Sequence, residues 1–277
     1  MNRYQKTFEL LKSRKEAACI PFAVAGDPDL DKSLEIFKAY IDGGADILEI
    51  GYPFSDPVAD GPVNQRAAQR AIASGLNHSR FFSLIKKIRL HSEVPIGVLL
   101  YANSICHLGY EQFCRKAADA GIDSLLVADL PPEESTEFAK ATRSCGVGRV
   151  YIISELTSPQ RIRYICDNVD SFIYVVSRLG ATGAGKNLSS SIPETISRIR
   201  SITDKPLAVG FGISTPQHVA EVAKTGADGV IIGSALVSTI EASLNGEKNL
   251  PSVLRKKVSS LKAATKTTGR RTDTLQQ

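Results

Sequence analysis

A single (β/α)8 barrel, or TIM barrel, with one extra helix at each end is the fold that three observations in the sequence predict. Eight short runs rich in Val, Ile and Leu are spaced along the chain, and runs apolar throughout fit strands buried on both faces of a parallel sheet. Helical patterns lie between successive runs, which is the strand-helix alternation of an α/β domain. A weak repeat also recurs: Asp42-Gly-Gly-Ala-Asp-Ile-Leu-Glu-Ile-Gly51, Asp119-Ala-Gly-Ile-Asp-Ser-Leu-Leu-Val-Ala128 and Lys224-Thr-Gly-Ala-Asp-Gly-Val-Ile-Ile-Gly233. Its Gly fits a left-handed helix C-cap and its apolar run fits a strand, so the repeating unit is helix, short loop, strand. An open doubly wound sheet is the rival arrangement, but it would not need eight units.

Taken in order, Tyr4 to Leu11 predicts a helix ahead of the first strand. Strands are expected near Cys19 to Ala23, Ile47 to Ile50, Ile96 to Leu100, Ser124 to Ala128, Arg149 to Ile153, Phe172 to Val176, Leu207 to Gly210 and Val230 to Ile232. Pro95 and Pro206 stand just ahead of two of these, where a strand tolerates proline. Helices are expected at Ser33 to Tyr40, Gln65 to Ser74, Tyr110 to Ala118, Glu134 to Thr142, Pro159 to Cys166, Pro193 to Ile199 and Pro216 to Lys224. Pro62 suits the first turn of the second of these, where its missing N–H costs nothing. Pro251 to Ala264 predicts a last amphipathic helix. Residues 1–265 are therefore expected to form one barrel domain, and residues 266–277 a polar, frayed tail.

Composition agrees with this and narrows the function. The chain has 277 residues, 43% hydrophobic and 23% charged, which suits one large globular α/β domain. Net charge is +5, but the Lys and Arg are spread out and form no patterned basic stripe, which argues against nucleic-acid binding. The N-terminus lacks a signal-peptide core, and no apolar run reaches the roughly 18 residues of a membrane span. The cysteines number 5, an odd count with no C-x-x-C pair, and read as reduced thiols of a cytoplasmic protein.

A (β/α)8 barrel carries its chemistry at the C-terminal ends of its strands. The ends of strands six, seven and eight are Gly-rich, and glycine lets backbone N–H groups approach an anion. A helix start after such a loop adds the positive end of its dipole. The expectation is a phosphate held by Gly183, Gly212, Gly233 and Ser234; the bland alternative is that these are tight turns. No Lys ends an expected strand, which disfavours a Schiff base. No His, Asp or Cys cluster has metal-ligand spacing, so no metal is expected. What remains is Glu49, inside a buried strand, with Asp60 on the loop after it. Burial raises the pKa of a carboxyl and lets it give and take a proton near neutrality. Glu49 could instead be a structural carboxylate paired with an Arg, and Asp60 a loop-capping residue.

The stretch LEIGYPFSDPVADGP closely resembles the signature of the tryptophan synthase α chain family. The resemblance continues through PFAVAGDP, LLYAN, VADLP, SRLGATG, GFGIS and GSA, in family order up to about Ala264. It implies retro-aldol cleavage of indole-3-glycerol phosphate to indole and D-glyceraldehyde 3-phosphate. Glu49 is implied as general acid/base and Asp60 as the partner of the ring N–H. Phe22, Leu99, Tyr101, Leu126, Ile152, Tyr174, Thr182 and Phe211 are implied as the indole pocket. No cofactor is implied in this chain, while pyridoxal phosphate is implied in a β chain that receives the indole. Contact with that partner, in an αββα heterotetramer, is implied for Pro53, Asp56, Asn103 and Pro131. Leu179 to Ser191 is implied as a lid in which Thr182 packs against Asp60.

The chain departs from the family pattern at several places. Ala181 replaces a usual Val, the lid continues Ala184-Gly185-Lys186-Asn187, and Val63-Asn64 stands for Thr and Ile. Ser154-Glu155 replaces small apolar residues or proline, and Tyr52 is bulkier than the usual Val or Ile. Extra glycine makes a lid costlier to order. A second reading follows: a chain with weak or silent lyase chemistry that mainly binds and activates the β chain. A phosphosugar isomerase on the same fold would need another acid/base pair, and none is evident.

Overall fold

The computed structural model describes residues 1–176, 191–210, 212–244, 246 and 249–266. The strands are β1 (Ala18–Val24), β2 (Leu48–Gly51), β3 (Ile96–Leu100), β4 (Ser124–Val127), β5 (Gly148–Arg149), β6 (Tyr151–Ser154), β7 (Ile173–Val176), β8 (Leu207–Gly210) and β9 (Gly229–Ile232). They form one parallel sheet in the order β5-β4-β3-β2-β1-β9-β8-β7-β6. The fifth expected strand, Arg149 to Ile153, is thus present as two pieces hinged at Val150. Its first half pairs with β4 and its second with β7, so together they close the ring.

Helices cover the outside. Among the described residues they are α1 (Arg3–Ser13), α2 (Leu30–Asp42), α3 (Pro62–Ala73), α4 (His78–Arg89), α5 (Ala102–Cys106), α6 (Tyr110–Ala120), α7 (Thr136–Cys145), α8 (Pro159–Asn168), α9 (Ile192–Arg200), α10 (Pro216–Lys224), α11 (Ser234–Ser243) and α12 (Leu250–Ala263). The helix expected from Glu134 begins at Thr136, because Pro132–Glu134 form a separate 3-10 turn. α4, α5 and α11 are additional to the helices that periodicity singled out. Among the described residues no helix is long and apolar enough to cross a membrane.

Strand alternation divides the core in two. Leu48, Ile50, Val98, Leu100 and Leu125 face outward into the large cluster shared with the helices. Leu126, Tyr174, Ala208 and Ile231 face inward, joined from below by Tyr4, Phe8 and Leu11 of α1. α1 is a floor to the barrel: Tyr4 packs on Phe172 with ring centroids 5.6 Å apart and hydrogen-bonds Ser124 at 2.8 Å. Gly97 makes room for it, since a Cβ there would stand 2.8 Å from the Tyr4 hydroxyl.

The repeat seen in the sequence has a structural cause. Gly44, Gly121 and Gly226 hold φ of +96°, +89° and +89°, the left-handed turn that ends a helix. The Asp two residues on each time ties two strands together. Asp46 accepts from Cys19 N–H at 2.7 Å, Asp123 from Ile96 N–H at 2.8 Å and Asp228 from Leu207 N–H at 2.9 Å. Each also meets a cation from a helix: Lys262, Arg89 and Arg200 respectively. Asp170 does the same for Arg149, by both its N–H and its guanidinium. The four aspartates precede the second, fourth, sixth and eighth barrel strands.

Candidate active site

Glu49 is aimed inward by the same alternation that turns Leu48 and Ile50 outward. It stands in register with Phe22 of β1 and Gly97 of β3 and is 6% exposed. Among the described residues no hydrogen bond or ion pair reaches its carboxyl, so an Arg partner is not what holds it there. Burial, and then the nearby charge of Asp60, push its pKa up to about 8. A carboxyl in that condition carries a proton at neutral pH and can give it to a reacting atom.

Asp60 ends the loop between β2 and α3. Two backbone turns shape that loop, Val58 N–H to Asp56 O and Asp60 N–H to Pro57 O, both 2.9 Å. Gly61 caps α3 and Pro62 occupies its first position, so the helix starts directly after the carboxylate. Tyr101, at the end of β3, donates from its hydroxyl to Asp60 Oδ2 at 2.9 Å and accepts from Ala59 N–H at 3.1 Å. Its ring stacks on Phe54 at 5.3 Å. Asn64 Nδ2 donates to Asp60 Oδ1 at 3.4 Å, and Gln65 Nε2 to the Asp60 carbonyl at 2.9 Å. Burial raises the Asp60 pKa, while the Tyr101 and Asn64 hydrogen bonds act to lower it.

The candidate pocket residues Leu99, Leu126, Ile152 and Tyr174 belong to the inward-facing cluster, and Phe22 lies beside it, packed on Val24 and Val237. Tyr174 is buried within the field of both carboxylates; burial first, then Glu49 and Asp60, raise its pKa well above the usual value. Its ring is admitted by Gly210, where a Cβ would come within 2.7 Å of Cζ. Gly51 likewise admits Phe22, whose Cζ would be 2.8 Å from an added Cβ. Gly212 has φ +69° just past β8; Gly233 caps α11, which opens at Ser234 just past β9. That is a helix N-terminus at the strand ends, able to receive an anion. Thr182, Gly183, Phe211 and the expected lid as far as residue 190 lie outside the described residues.

Of the expected partner contacts, Asp56 and Asn103 are exposed, Pro131 is half-buried and Pro53 is buried. Val58, on the same loop as Asp56, is 83% exposed. The departures noted in the sequence have local partners. Tyr52 stacks on His78 at 5.3 Å and meets Phe81 edge-on at 4.8 Å. Glu155 accepts from the Ser191 hydroxyl, and Arg198 Nη2 donates to the Glu155 carbonyl at 2.7 Å. On the far side of β1, Arg70 makes two bonds to the buried Asp27, 2.7 and 2.9 Å, and a third to Glu241, tying α3 and α11 to the first loop. Among the described residues no group of three or more His, Cys, Asp or Glu is placed to hold a metal.

Comparison with known proteins places this arrangement. The family model for the tryptophan synthase alpha chain matches residues 8–266. The tryptophan synthase alpha chain of Methanoregula boonei is 45% identical over 264 residues, 95% of this chain and 98% of that one. That of Opitutus terrae is 43% identical and covered over its whole length, with 96% of this chain. The crystal structure of tryptophan synthase subunit alpha from Legionella pneumophila superposes with a TM-score of 0.88 at 33% identity, covering 96% of this chain and 98% of that one. A structure of Mycobacterium tuberculosis tryptophan synthase gives a TM-score of 0.88 at 30% identity over 96% of this chain and 99% of the other. A closed barrel with a buried acid beside a clamped aspartate, matched over nearly its full length by these relatives, belongs to the tryptophan synthase alpha chain family.

Proposed function

We propose that this chain cleaves indole-3-glycerol phosphate to indole and D-glyceraldehyde 3-phosphate, with Glu49 and Asp60 as its catalytic residues. The observation that carries the assignment is the contrast between the two carboxyls. Among the described residues Glu49 is buried without a partner and its pKa is pushed up to about 8, while burial also raises the Asp60 pKa but the Tyr101 and Asn64 donors act against that rise. Glu49 gives its proton to the ring carbon that bears the glycerol chain. The ring nitrogen takes up the positive charge, and its N–H bonds to the Asp60 carboxylate. Glu49, now ionised, accepts the proton of the hydroxyl on the attached carbon. The O–H electrons become the aldehyde C=O, and the C–C bonding pair returns to the ring, releasing indole. Glu49 ends protonated, ready for another turnover.

Phe22, Leu99, Leu126, Ile152 and Tyr174 form the apolar slot for the indole, with Tyr101; Thr182 and Phe211 are assigned to it by resemblance alone. Gly212, Gly233 and Ser234, with Gly183, hold the phosphate, where the start of α11 supplies N–H groups and dipole. The chain needs no cofactor of its own in this scheme. Its partner is a β chain carrying pyridoxal phosphate, in an αββα assembly that meets this chain at the exposed loop of Asp56 and Val58, at Asn103 and at Pro131. The location proposed is the cytoplasm, in keeping with five free cysteines. Indole release by the chain alone and with its β chain tests the reading, with Glu49→Gln run beside it. Cleavage by the native pair and none by the variant supports it. Faster β-chain turnover of supplied indole without any cleavage would make the chain an activator only.

A further inference from the structure

Among the described residues, Asp60 has no cation beside it. The titratable groups that face it are Glu49 from β2, Tyr101 from the end of β3 and Tyr174 from β7. Asp129, from the loop after β4, faces Tyr101 in turn and accepts from Ala102 N–H at 2.7 Å. Every charge in that set is negative. Neutral hydrogen-bond donors are therefore what is left among the described residues to favour an ionised Asp60. There are two to its side chain, the Tyr101 hydroxyl and the Asn64 amide.

Asn64 is the informative one. It sits one helical turn beyond Asp60, third in α3, where the carboxylate is within reach. Its Nδ2 bonds to Asp60 at 3.4 Å, but its Oδ1 is buried and, among the described residues, accepts from no group. A buried acceptor left alone is destabilising. Turning the amide over would set oxygen against a carboxylate oxygen, so its orientation follows from Asp60 being an acceptor. A leucine of similar size would fill the space without the orphaned atom. The arrangement is understandable if the other end of the amide is used.

We propose that Asn64 is a positioning residue which, with Tyr101, fixes Asp60 as an ionised carboxylate and so keeps the proton of the Glu49–Asp60 pair on Glu49. The inference rests on the lyase reading above and deepens it: the division of labour between the two carboxyls is set from the first turn of α3. Without Asn64, Asp60 is protonated more readily. Glu49 then feels less negative charge and loses its own proton more readily, and the two carboxyls become more alike.

The test compares the native chain with Asn64→Leu and Asn64→Asp, measuring indole release from indole-3-glycerol phosphate across pH 5 to 9 in the presence of the β chain. Asn64→Leu is expected to move the acid limb of kcat/KM up by about 0.5 pH unit, as suits one long bond to a charged acceptor. Asn64→Asp, which adds a like charge, is expected to move it further, by about 1 pH unit or more. A residue that only packs would scale the whole profile and leave the limbs in place. Carboxyl-carbon NMR of Asp60 titrates the same group without turnover and should show the same order among the three proteins. Unmoved limbs and an unmoved Asp60 titration in both variants overturn the proposal while leaving the lyase reading intact. A native pair that releases no indole overturns the lyase reading, and the NMR titration then still decides whether Asn64 holds Asp60 ionised.

Discussion

Glu49→Gln should stabilise the protein at alkaline pH while abolishing its chemistry. The folded chain holds the Glu49 carboxyl at about 8, against 4.5 for the ordinary side chain. Because the folded value is raised, the native state keeps a proton that the unfolded chain has already lost. The native fold is therefore unpenalised below pH 4.5, and its stability falls as pH rises from there until it levels above about 8. At about 1.36 kcal/mol per pH unit that interval is a ceiling of about 5 kcal/mol, and relaxation of the site reduces the figure to about 2–4 kcal/mol. Glutamine has the same shape and no charge at any pH, so it escapes the penalty. Urea unfolding of both proteins at pH 5 and at pH 8 isolates the effect, since titrations elsewhere cancel in the difference. The variant should exceed the native chain by less than about 1 kcal/mol at pH 5 and by about 2–4 kcal/mol at pH 8. An equal difference at the two pH values would refute the argument that burial holds the proton. Loss of indole release by about 100-fold or more should accompany the stabilisation, in the range of a removed general acid/base.

Other substitutions probe the supports of the site. Tyr101→Phe removes the shorter of the two bonds to Asp60 and the acceptor of Ala59 N–H; kcat/KM should fall about 10-fold or more, with unchanged urea stability to within about 1 kcal/mol. Gly97→Ala puts a methyl 2.8 Å from the Tyr4 hydroxyl and 3.1 Å from Ser124 Oγ; it should lower unfolding stability by about 1–3 kcal/mol yet leave the activity per folded molecule unaltered. Arg70→Met strands the carboxylate of Asp27, whose side chain is fully buried, and should cost about 3–5 kcal/mol in urea unfolding; adding Asp27→Asn should recover most of that loss.

The barrel was legible because strands buried on both faces are continuous apolar runs, and all eight expected runs are strands. The fifth could not be read as two pieces, since the break at Val150 arises from ring closure and leaves no mark on an apolar run. α11 escaped periodicity because Ser234-Ala235-Leu236-Val237 and the residues after it are small or apolar on most sides. At the site, Glu49 stood out as a carboxylate in a buried run, and the proposed acid/base role follows from that burial together with the family resemblance. The bond from Tyr101 to Asp60 spans 41 residues and depends on how far a phenol reaches from the end of β3. Asn64 appeared in the sequence only as a departure from the family pattern; that its amide is turned toward Asp60 needed coordinates. The ties of Arg70 to Asp27 and Glu241 cross 43 and 171 residues and carry no local signal at all. The roles given to Thr182, Gly183 and Phe211 come from resemblance, as these residues lie outside those described.

The four strand-entry aspartates divide the ring into quarters. Each joins an odd-numbered barrel strand to the loop entering the next even one, so each quarter is two strands and a helix closed by its own polar catch. All the catches lie where strands begin, whereas the candidate carboxyls lie within β2 (Glu49) and on the loop that follows its end (Asp60). The catches and the loop of Asp60 therefore fall on opposite rims of one ring. Loops on the reacting rim can be lengthened, shortened or exchanged without loosening a catch, and a worn catch can be repaired without disturbing the reacting rim. A chain built this way can try new mouths on an old hoop.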